Sequence, residues 1–181
     1  MKKEIILKII KNKNLPKEQK EMINNSRLKE WGEGIINFNK DYEPDAKWFF
    51  IKKENKIVSF ASLRPIKISY LGKRYNILGI CSVISIERGK GYGKILISFI
   101  IKYFKENKKT GLGFTEKTEF FKKAGLETKK DFIKRFIYKN LKTGKEIIDN
   151  RGDGIYYNGK DNFIKTVLSN KNPVYININH W

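Results

Sequence analysis

The sequence predicts an α+β fold, a central, mostly antiparallel mixed sheet flanked by helices. Three observations predict it. Residues 77–86 are apolar and β-branched, with too little polar alternation for a strand wetted on one face, so they read as a strand buried on both sides. A turn rich in glycine and lysine follows, Arg88-Gly89-Lys90-Gly91-Tyr92-Gly93-Lys94, and behind it Ile95, Leu96, Phe99, Ile100, Tyr103 and Phe104 recur at helical spacing. Around this strand, turn and helix lie short alternating or apolar runs bounded by turn residues, the pattern of antiparallel strands.

In order, residues 4–10 read as an edge strand. Leu15-Pro16-Lys17-Glu18 opens a helix with proline in its first turn, Met22, Ile23 and Leu28 give it an apolar side, and Gly32 and Gly34 end it. Ile35, Ile36 and Phe38 mark a second helical or loop stretch. Residues 47–53 and 56–63 read as strands joined at Lys53-Glu54-Asn55, and residues 66–70 and 75–86 as a hairpin around Leu71-Gly72-Lys73-Arg74. After the glycine-rich turn and its helix come a short strand over 111–114 and a helix capped by Thr115, with Glu116 in its first turn. Residues 132–139 alternate like a strand, 144–160 read as loop, 163–168 as a short helix, and 173–179 as a closing strand that runs towards Trp181. Nothing in the sequence suggests a repeat or linker, so residues 1–181 are expected to form one domain, a size that buries a real core.

The composition narrows the function. The formal net charge is +20, but the lysines are scattered and arginine is scarce beside them. Specific nucleic-acid readers lean on arginine's bidentate contacts, so no specific nucleic acid is expected as a partner, whereas a basic surface attracts any polyanionic ligand. Apolar runs stop far short of the ~20 residues of a membrane span, and Lys8 and Lys11 interrupt the apolar start, so a cytoplasmic protein with no membrane partner is expected. Cys81 is the one cysteine and His180 the one histidine, which leaves no internal disulfide, no Ser-His-Asp triad and no expected metal site. No histidine lies near Cys81 in sequence, so Cys81 reads as a small buried hydrophobe and not as an acyl-carrying nucleophile. Between Glu30 and Asp45 the balance turns acidic, through Glu30, Glu33, Asp41, Glu43 and Asp45. That stretch reads either as a solvated loop or as an acidic wall for a cationic substrate.

The turn itself points to an anion. Glycines let the backbone approach closely, free N–H groups at the helix N-terminus face whatever lies over the strand's end, and Arg88, Lys90 and Lys94 add positive charge. The alternating Gly89, Gly91 and Gly93 do not fit the dinucleotide fingerprint. Ile95 after Gly93-Lys94 leaves no hydroxyl where a Walker loop needs one.

What fits is Arg-x-x-Gly-x-Gly, from Arg88 to Gly93, which resembles the acetyl-CoA pyrophosphate loop of the GNAT N-acetyltransferase superfamily. Cys81-Ser82-Val83 stands where that family places its cofactor-facing strand, and Glu119-Phe120-Phe121-Lys122-Lys123-Ala124-Gly125-Leu126 looks like its second signature. The resemblance implies a GNAT fold whose splayed central strands hold acetyl-CoA, and direct attack of an amine on the thioester. Cofactor contacts then fall to Cys81, Ser82, Val83, Arg88, Gly89, Lys90, Gly91, Tyr92, Gly93, Lys94 and Phe121, with a backbone N–H of Ser82 or Val83 facing the oxyanion. The hairpin over 66–86, the Asp153-Gly154 loop and the chain end resemble the aminoglycoside 2'-N-acetyltransferase branch. This implies an antibiotic-modifying activity on a small-molecule amine, with Glu33, Asp41, Glu43, Asp153 and Trp181 around the acceptor and Trp181, by its terminal carboxylate, among the catalytic groups. A homodimer is one oligomeric state the sequence leaves open.

Two departures stand out. The tyrosine that family members often use to protonate the departing thiolate is Phe121 here, and the strand residues Ile77, Leu78, Gly79 and Ile80 carry no carboxylate to act as base. The base candidates are Glu33, Asp41, Glu43, Asp153, His180 and the carboxylate of Trp181. A peptide or protein amine is the alternative acceptor, and a coenzyme A-binding module without catalysis is the alternative outside enzymes.

Overall fold

The computed structural model describes residues 4–32, 35–139, 143–150 and 152–176. Hydrogen bonding orders seven strands into a mixed sheet, β1-β2-β3-β4-β5-β9-β6, and three more into a smaller sheet, β10-β7-β8. The chain divides into two compact units, Met1–Arg64 with Cys81–Phe99, and Pro65–Ile80 with Ile100–Trp181.

In the first unit, β1 (Ile5–Lys11) pairs antiparallel with β2 (Lys47–Lys53), and β2 with β3 (Lys56–Tyr70), the second pairing shifting register between Ile51 and Lys52 of β2. Helix α1 (Lys17–Trp31) follows Pro16, which stands at the N-cap, and ends at Gly32 in the left-handed conformation, with the Gly32 N–H donating to the Leu28 carbonyl at 2.9 Å. Proline before the first turn and a left-handed glycine after the last are what the chain terminates a helix with. The core gathers Leu15, Ile23, Trp48, Phe50, Phe60 and Ile84, with Tyr42 stacked on Trp48 at 5.2 Å between ring centroids. Buried Asn12 ties this unit's loops together: its amide donates to the Phe38 carbonyl at 2.7 Å and accepts from the Trp48 indole at 3.2 Å. Residues 35–46 carry no helix: Ile36 exchanges hydrogen bonds with the Asn24 side chain, and the Asn37 N–H donates to the Asp41 carboxylate.

In the second unit, β4 (Lys73–Ser85) pairs parallel with β5 (Gly111–Thr115) at two positions, Leu78 with Gly111 and Gly79 with Leu112. Strand β4 ends at Ser85 and β5 at Thr115, so both continue past those two paired positions. Gly113 lets β5 pass close to β4, since a Cβ there would stand 2.9 Å from the Ile80 carbonyl oxygen. Strand β5 also pairs antiparallel with β9 (Asp153–Tyr157), and β9 with β6 (Glu127–Lys129). The second sheet joins β7 (Phe136–Lys139) to β8 (Glu146–Ile148) antiparallel and to β10 (Val174–Ile176) parallel. Helix α4 (Phe163–Leu168) presents Phe163, Ile164 and Val167 to a core shared with Tyr75, Ile77, Leu112, Phe132 and Phe136.

Helix α2 (Tyr92–Asn107) and strands β3 and β4 each run through both units. The α+β class holds, and several element bounds differ from expectation. Arg64-Pro65 does not end a strand: β3 runs through it, 15 residues in all, and the division between units falls there instead. Residues 132–135 form a 3-10 turn, with Asp131 left-handed before it, so the strand begins only at Phe136. The stretch 144–160, expected as loop, contains β8 and β9, because its glycines serve close packing as well as turns. A Cβ at Gly154 would stand 2.5 Å from the Phe132 ring. Helix α3 (Thr118–Lys123) starts later than expected: the Thr115 hydroxyl accepts from the Lys117 N–H at 3.0 Å, and Glu119, not Glu116, sits in the first turn.

Candidate active site

The first unit brings β4's end, the glycine-rich loop and the start of α2 together with α1. Residues Gly79 to Ser82 are all buried, as a strand covered on both faces must be. Within that run Ser82 has φ +50°, a left-handed residue inside a strand. For a residue with a Cβ this costs about 1–2 kcal/mol and persists only where surroundings hold it. The surroundings are polar. Arg27 of α1 donates from Nη1 to Ser82 Oγ at 2.8 Å, and the Tyr42 hydroxyl lies 3.2 Å from both Ser82 Oγ and Ser62 Oγ. From β3, buried Ser62 donates to the Cys81 carbonyl at 3.4 Å and buried Ser59 to the Ile84 carbonyl at 2.9 Å, so two serines pin β4 on either side of its kink.

The loop after β4 is open. Arg88, Gly89, Lys90 and Gly91 are exposed, while Tyr92 and Gly93 turn inward to begin α2. Gly89 and Gly91 have φ +72° and +78°, and a Cβ on either would meet nothing within 4 Å. Left-handed glycines with free space above them, at the N-terminus of a 16-residue helix and beside three cationic side chains, fit a diphosphate. Arg88 meanwhile pairs with Glu30 near the end of α1.

The acidic stretch is largely committed. Glu43 accepts two hydrogen bonds from buried Arg64, from Nε at 3.0 Å and Nη2 at 2.9 Å. Asp41 accepts from the Asn37 N–H at 2.7 Å. Arg64 lies over the Tyr42 ring at 4.7 Å and Arg27 over the Trp31 ring at 5.2 Å. Burial pushes the Tyr42 phenol up to about 12 and the Cys81 thiol up to about 12, each in spite of a neighbouring arginine. A thiol so held stays protonated near neutrality, in keeping with packing and not nucleophilic attack.

Cys81, Ser82, Val83, Arg88 to Lys94, Asp41 and Glu43 thus share the first unit. Phe121 and Asp153 belong to the second: Phe121 is buried in α3, edge-on to Phe120 at 5.0 Å, and Asp153 opens β9 and accepts from the Asp131 N–H at 2.8 Å. Glu33, His180 and Trp181 lie outside the described residues. Among the described residues no group of three His, Cys, Asp or Glu side chains forms a metal site, and no helix is long and apolar enough to cross a membrane. Sequence reasoning missed Arg27, Tyr42, Ser62 and Arg64. One signal was available, since an arginine within the apolar run of β3 demands a carboxylate once buried.

The family model for acetyltransferases of the GNAT type matches residues 12–125, a span that takes in α1, the kinked strand, the loop and α3. The chain belongs to the acetyltransferase (GNAT) family. Acetyl-CoA is the family's donor, and the loop of this GNAT protein fits its diphosphate. Among curated proteins none matches the chain. Solved structures share the fold at low identity. YhbS, a GNAT family N-acetyltransferase from Escherichia coli solved in complex with CoA, is 9% identical with a TM-score of 0.58, over 97% of this chain and 91% of that one. ElaA from Escherichia coli is 15% identical with a TM-score of 0.54, over 84% of this chain and 99% of that one. A probable N-acyltransferase from Enterococcus faecalis is 16% identical with a TM-score of 0.56, over 70% of this chain. This chain spans about a third of that protein, and about a third of the GCN5-related N-acetyltransferases from Kribbella flavida and Anabaena variabilis.

Proposed function

We propose that residues 1–181 form one cytoplasmic acetyl-CoA-dependent N-acetyltransferase domain acting on a primary amine of a small molecule. The observation that carries the reading is the open loop from Arg88 to Lys94, with Gly89 and Gly91 left-handed, directly after a strand kinked at Ser82. Main-chain N–H groups from Gly89 to Lys94 would hold the diphosphate, with Arg88, Lys90 and Lys94 adding charge. Main-chain groups of Cys81, Ser82 and Val83 would pair with the pantetheine arm as an added strand does. Bound there, acetyl-CoA supplies the electrophilic thioester. Attack by a neutral amine places negative charge on the carbonyl oxygen, and a preorganised N–H of Ser82 or Val83 would stabilise it, a contact typically worth ~3 kcal/mol.

The finer reading, an aminoglycoside-like amino sugar as acceptor, rests on resemblance and on the acidic segment from Glu30 to Asp45. The pairing of Glu43 with Arg64 and of Glu30 with Arg88 narrows the carboxylates that segment can offer a polyamine. Asp41, Asp153, Glu33 and Trp181 remain the acceptor-side candidates, and Phe121 the residue beside the sulfur. The test is thiol release from acetyl-CoA with a panel of an aminoglycoside, spermidine and a peptide with a free amino terminus, alongside calorimetric binding of CoA to wild type and Gly91→Glu. Turnover with a small amine, and loss of CoA affinity by ~100-fold or more in Gly91→Glu, is the expected result. Preference for the peptide would move the acceptor class, and CoA binding without turnover would leave a binding module. Unchanged affinity in Gly91→Glu would remove the loop from the cofactor site.

A further inference from the structure

The hydroxyls around Ser82 form a chain whose direction follows from Ser62 donating to the Cys81 carbonyl. A hydroxyl has a single proton. The Cys81 carbonyl can only accept, so Ser62 gives its proton there, at 3.4 Å. Ser62 Oγ must then accept from the Tyr42 hydroxyl, at 3.2 Å. Tyr42 has spent its proton, so its oxygen accepts from Ser82 Oγ–H, at 3.2 Å. Ser82 Oγ in turn accepts from the Arg27 guanidinium at 2.8 Å. The order is Arg27 to Ser82 to Tyr42 to Ser62 to the carbonyl of Cys81, with each donor satisfied once. Tyr42, Ser62, Cys81 and Ser82 are all buried, where such chains are strongest and least tolerant of a missing member.

The last bond of that chain matters for chemistry. The Cys81 carbonyl and the Ser82 N–H belong to one peptide plane and point to opposite sides of it. Holding the carbonyl towards Ser62 on β3 therefore directs the Ser82 N–H to the opposite edge of β4. Ser82's own hydroxyl, gripped by Arg27 and Tyr42, holds the residue in its left-handed conformation. Two side chains from distant parts of the sequence thus set the orientation of one backbone donor.

We infer that Tyr42 and Ser62 are positioning residues for acetyl transfer, fixing the Cys81–Ser82 peptide so that the Ser82 N–H is preorganised for the thioester carbonyl oxygen. The inference rests on the proposed reading of Ser82 as a main-chain contact to the acetyl group. It assigns Tyr42 no proton-transfer role: its proton stays on its own oxygen, directed at Ser62 Oγ.

The test uses the full chain and four proteins: wild type, Tyr42→Phe, Ser62→Ala and Ser62→Thr. Tyr42→Phe keeps the ring that packs on Trp48 and removes only the hydroxyl. Thiol release from acetyl-CoA, with water as acceptor, gives kcat and KM. Calorimetry gives Kd for CoA and for a ketone analogue of acetyl-CoA with methylene in place of sulfur, which keeps the carbonyl. Tyr42→Phe and Ser62→Ala are expected to lower kcat about tenfold, less than the ~10²–10³ of losing an oxyanion donor outright. KM for acetyl-CoA and Kd for CoA should stay within about twofold, while affinity for the ketone falls relative to CoA. Ser62→Thr keeps the hydroxyl and should restore both readouts. The Ser62 pair carries the test where Tyr42→Phe fails to fold, and the two binding constants carry it where hydrolysis is too slow to read. Variants with wild-type kcat and wild-type ketone affinity overturn the inference while leaving the site reading intact. Equal losses of CoA and ketone affinity also overturn it, because they mark a purely structural role. A wild type that does not bind CoA overturns the site reading and this inference together.

Discussion

Arg64 and Glu43, 21 residues apart, form a bidentate ion pair in which the guanidinium is buried and the carboxylate only half-buried. The arginine lies within β3, and its charge is tolerable there because two charge-assisted hydrogen bonds and the Tyr42 ring receive it. Removing the carboxylate leaves a buried cation without its anion. Glu43→Ala should therefore lower stability by about 2–3 kcal/mol, less than a fully buried pair because the carboxylate keeps some solvent. For a chain of this size that is a fall in Tm of about 4–12 °C. Thermal melts of Glu43→Ala, and of that variant combined with Arg64→Leu, check it. The double variant should recover part of the loss, and a single variant that melts with wild type would show the pair to be incidental.

The raised Cys81 and Tyr42 values make stability depend on alkaline pH. In the unfolded chain the thiol gives up its proton around its ordinary 9.0 and the phenol around 10.0, whereas folding holds both up to about 12. Between those values the unfolded state binds fewer protons than the folded one, so stability falls as pH rises. The slope is at most ~1.4 kcal/mol per pH unit for each group. Urea unfolding at pH 7, 8, 9, 10 and 11 should show a plateau followed by a decline from about pH 9. Cys81→Ala should lose stability at every pH from packing, yet decline less steeply above pH 9. Parallel curves for the two proteins would mean that the thiol ionises alike in both states.

If Arg88 contacts the diphosphate as proposed, its pairing with Glu30 competes with the cofactor. Arg88 is mostly exposed, so the pair adds little to stability, but it holds the guanidinium towards α1. Glu30→Gln should shift Tm by no more than about 4 °C, the change that a loss of up to about 1 kcal/mol brings in a chain of this size. It should tighten CoA binding severalfold, with the gain shrinking as salt is raised from 50 to 500 mM. Calorimetry at the two salt concentrations reads this directly. Weaker CoA binding in Glu30→Gln would mean that the carboxylate orients Arg88 for the cofactor instead of withholding it.

The parts of the fold legible in the sequence were those with a local cause. The buried run before Arg88, the three alternating glycines and the spacing from Ile95 to Phe104 specify strand, loop and helix with little help from elsewhere. Helix α4 was legible at both ends for the same reason, since Phe163, Ile164 and Val167 share one face. Residues 144–160 were not, because β9 is a strand by virtue of its partners: glycine at 154 is a poor strand former that Phe132 makes necessary. The same holds at the site. The loop announces itself by composition, whereas the kink at Ser82 depends on Arg27, Tyr42 and Ser62, residues 55, 40 and 20 positions away in a sequence that gives none of them a motif. The acidic segment was legible as acidic but not as spoken for, since only the fold shows Arg64 meeting Glu43.

The proposed departure from the family pattern at Phe121 can be reversed by one oxygen atom. Phe121 is buried in α3 against the edge of Phe120, and we propose that it stands at the position where family members often carry a tyrosine to protonate the departing thiolate. Coenzyme A's thiol, with an ordinary pKa near ~8.5, leaves tolerably well without help near neutral pH, so phenylalanine is compatible with turnover. General acid assistance is nonetheless worth ~10²–10⁴ in rate where it operates. Phe121→Tyr should therefore hold or raise kcat, and any gain should fade above pH ~10 as the new phenol ionises. The added hydroxyl costs about 1–3 kcal/mol if it finds no partner, so a melt must accompany the kinetics. A gain in kcat with Tm within the range set by that cost places residue 121 beside the sulfur. A loss of tenfold or more in kcat, with Tm unchanged, would mean that the ring fills a space the acetyl or pantetheine group needs and that the acid position lies elsewhere.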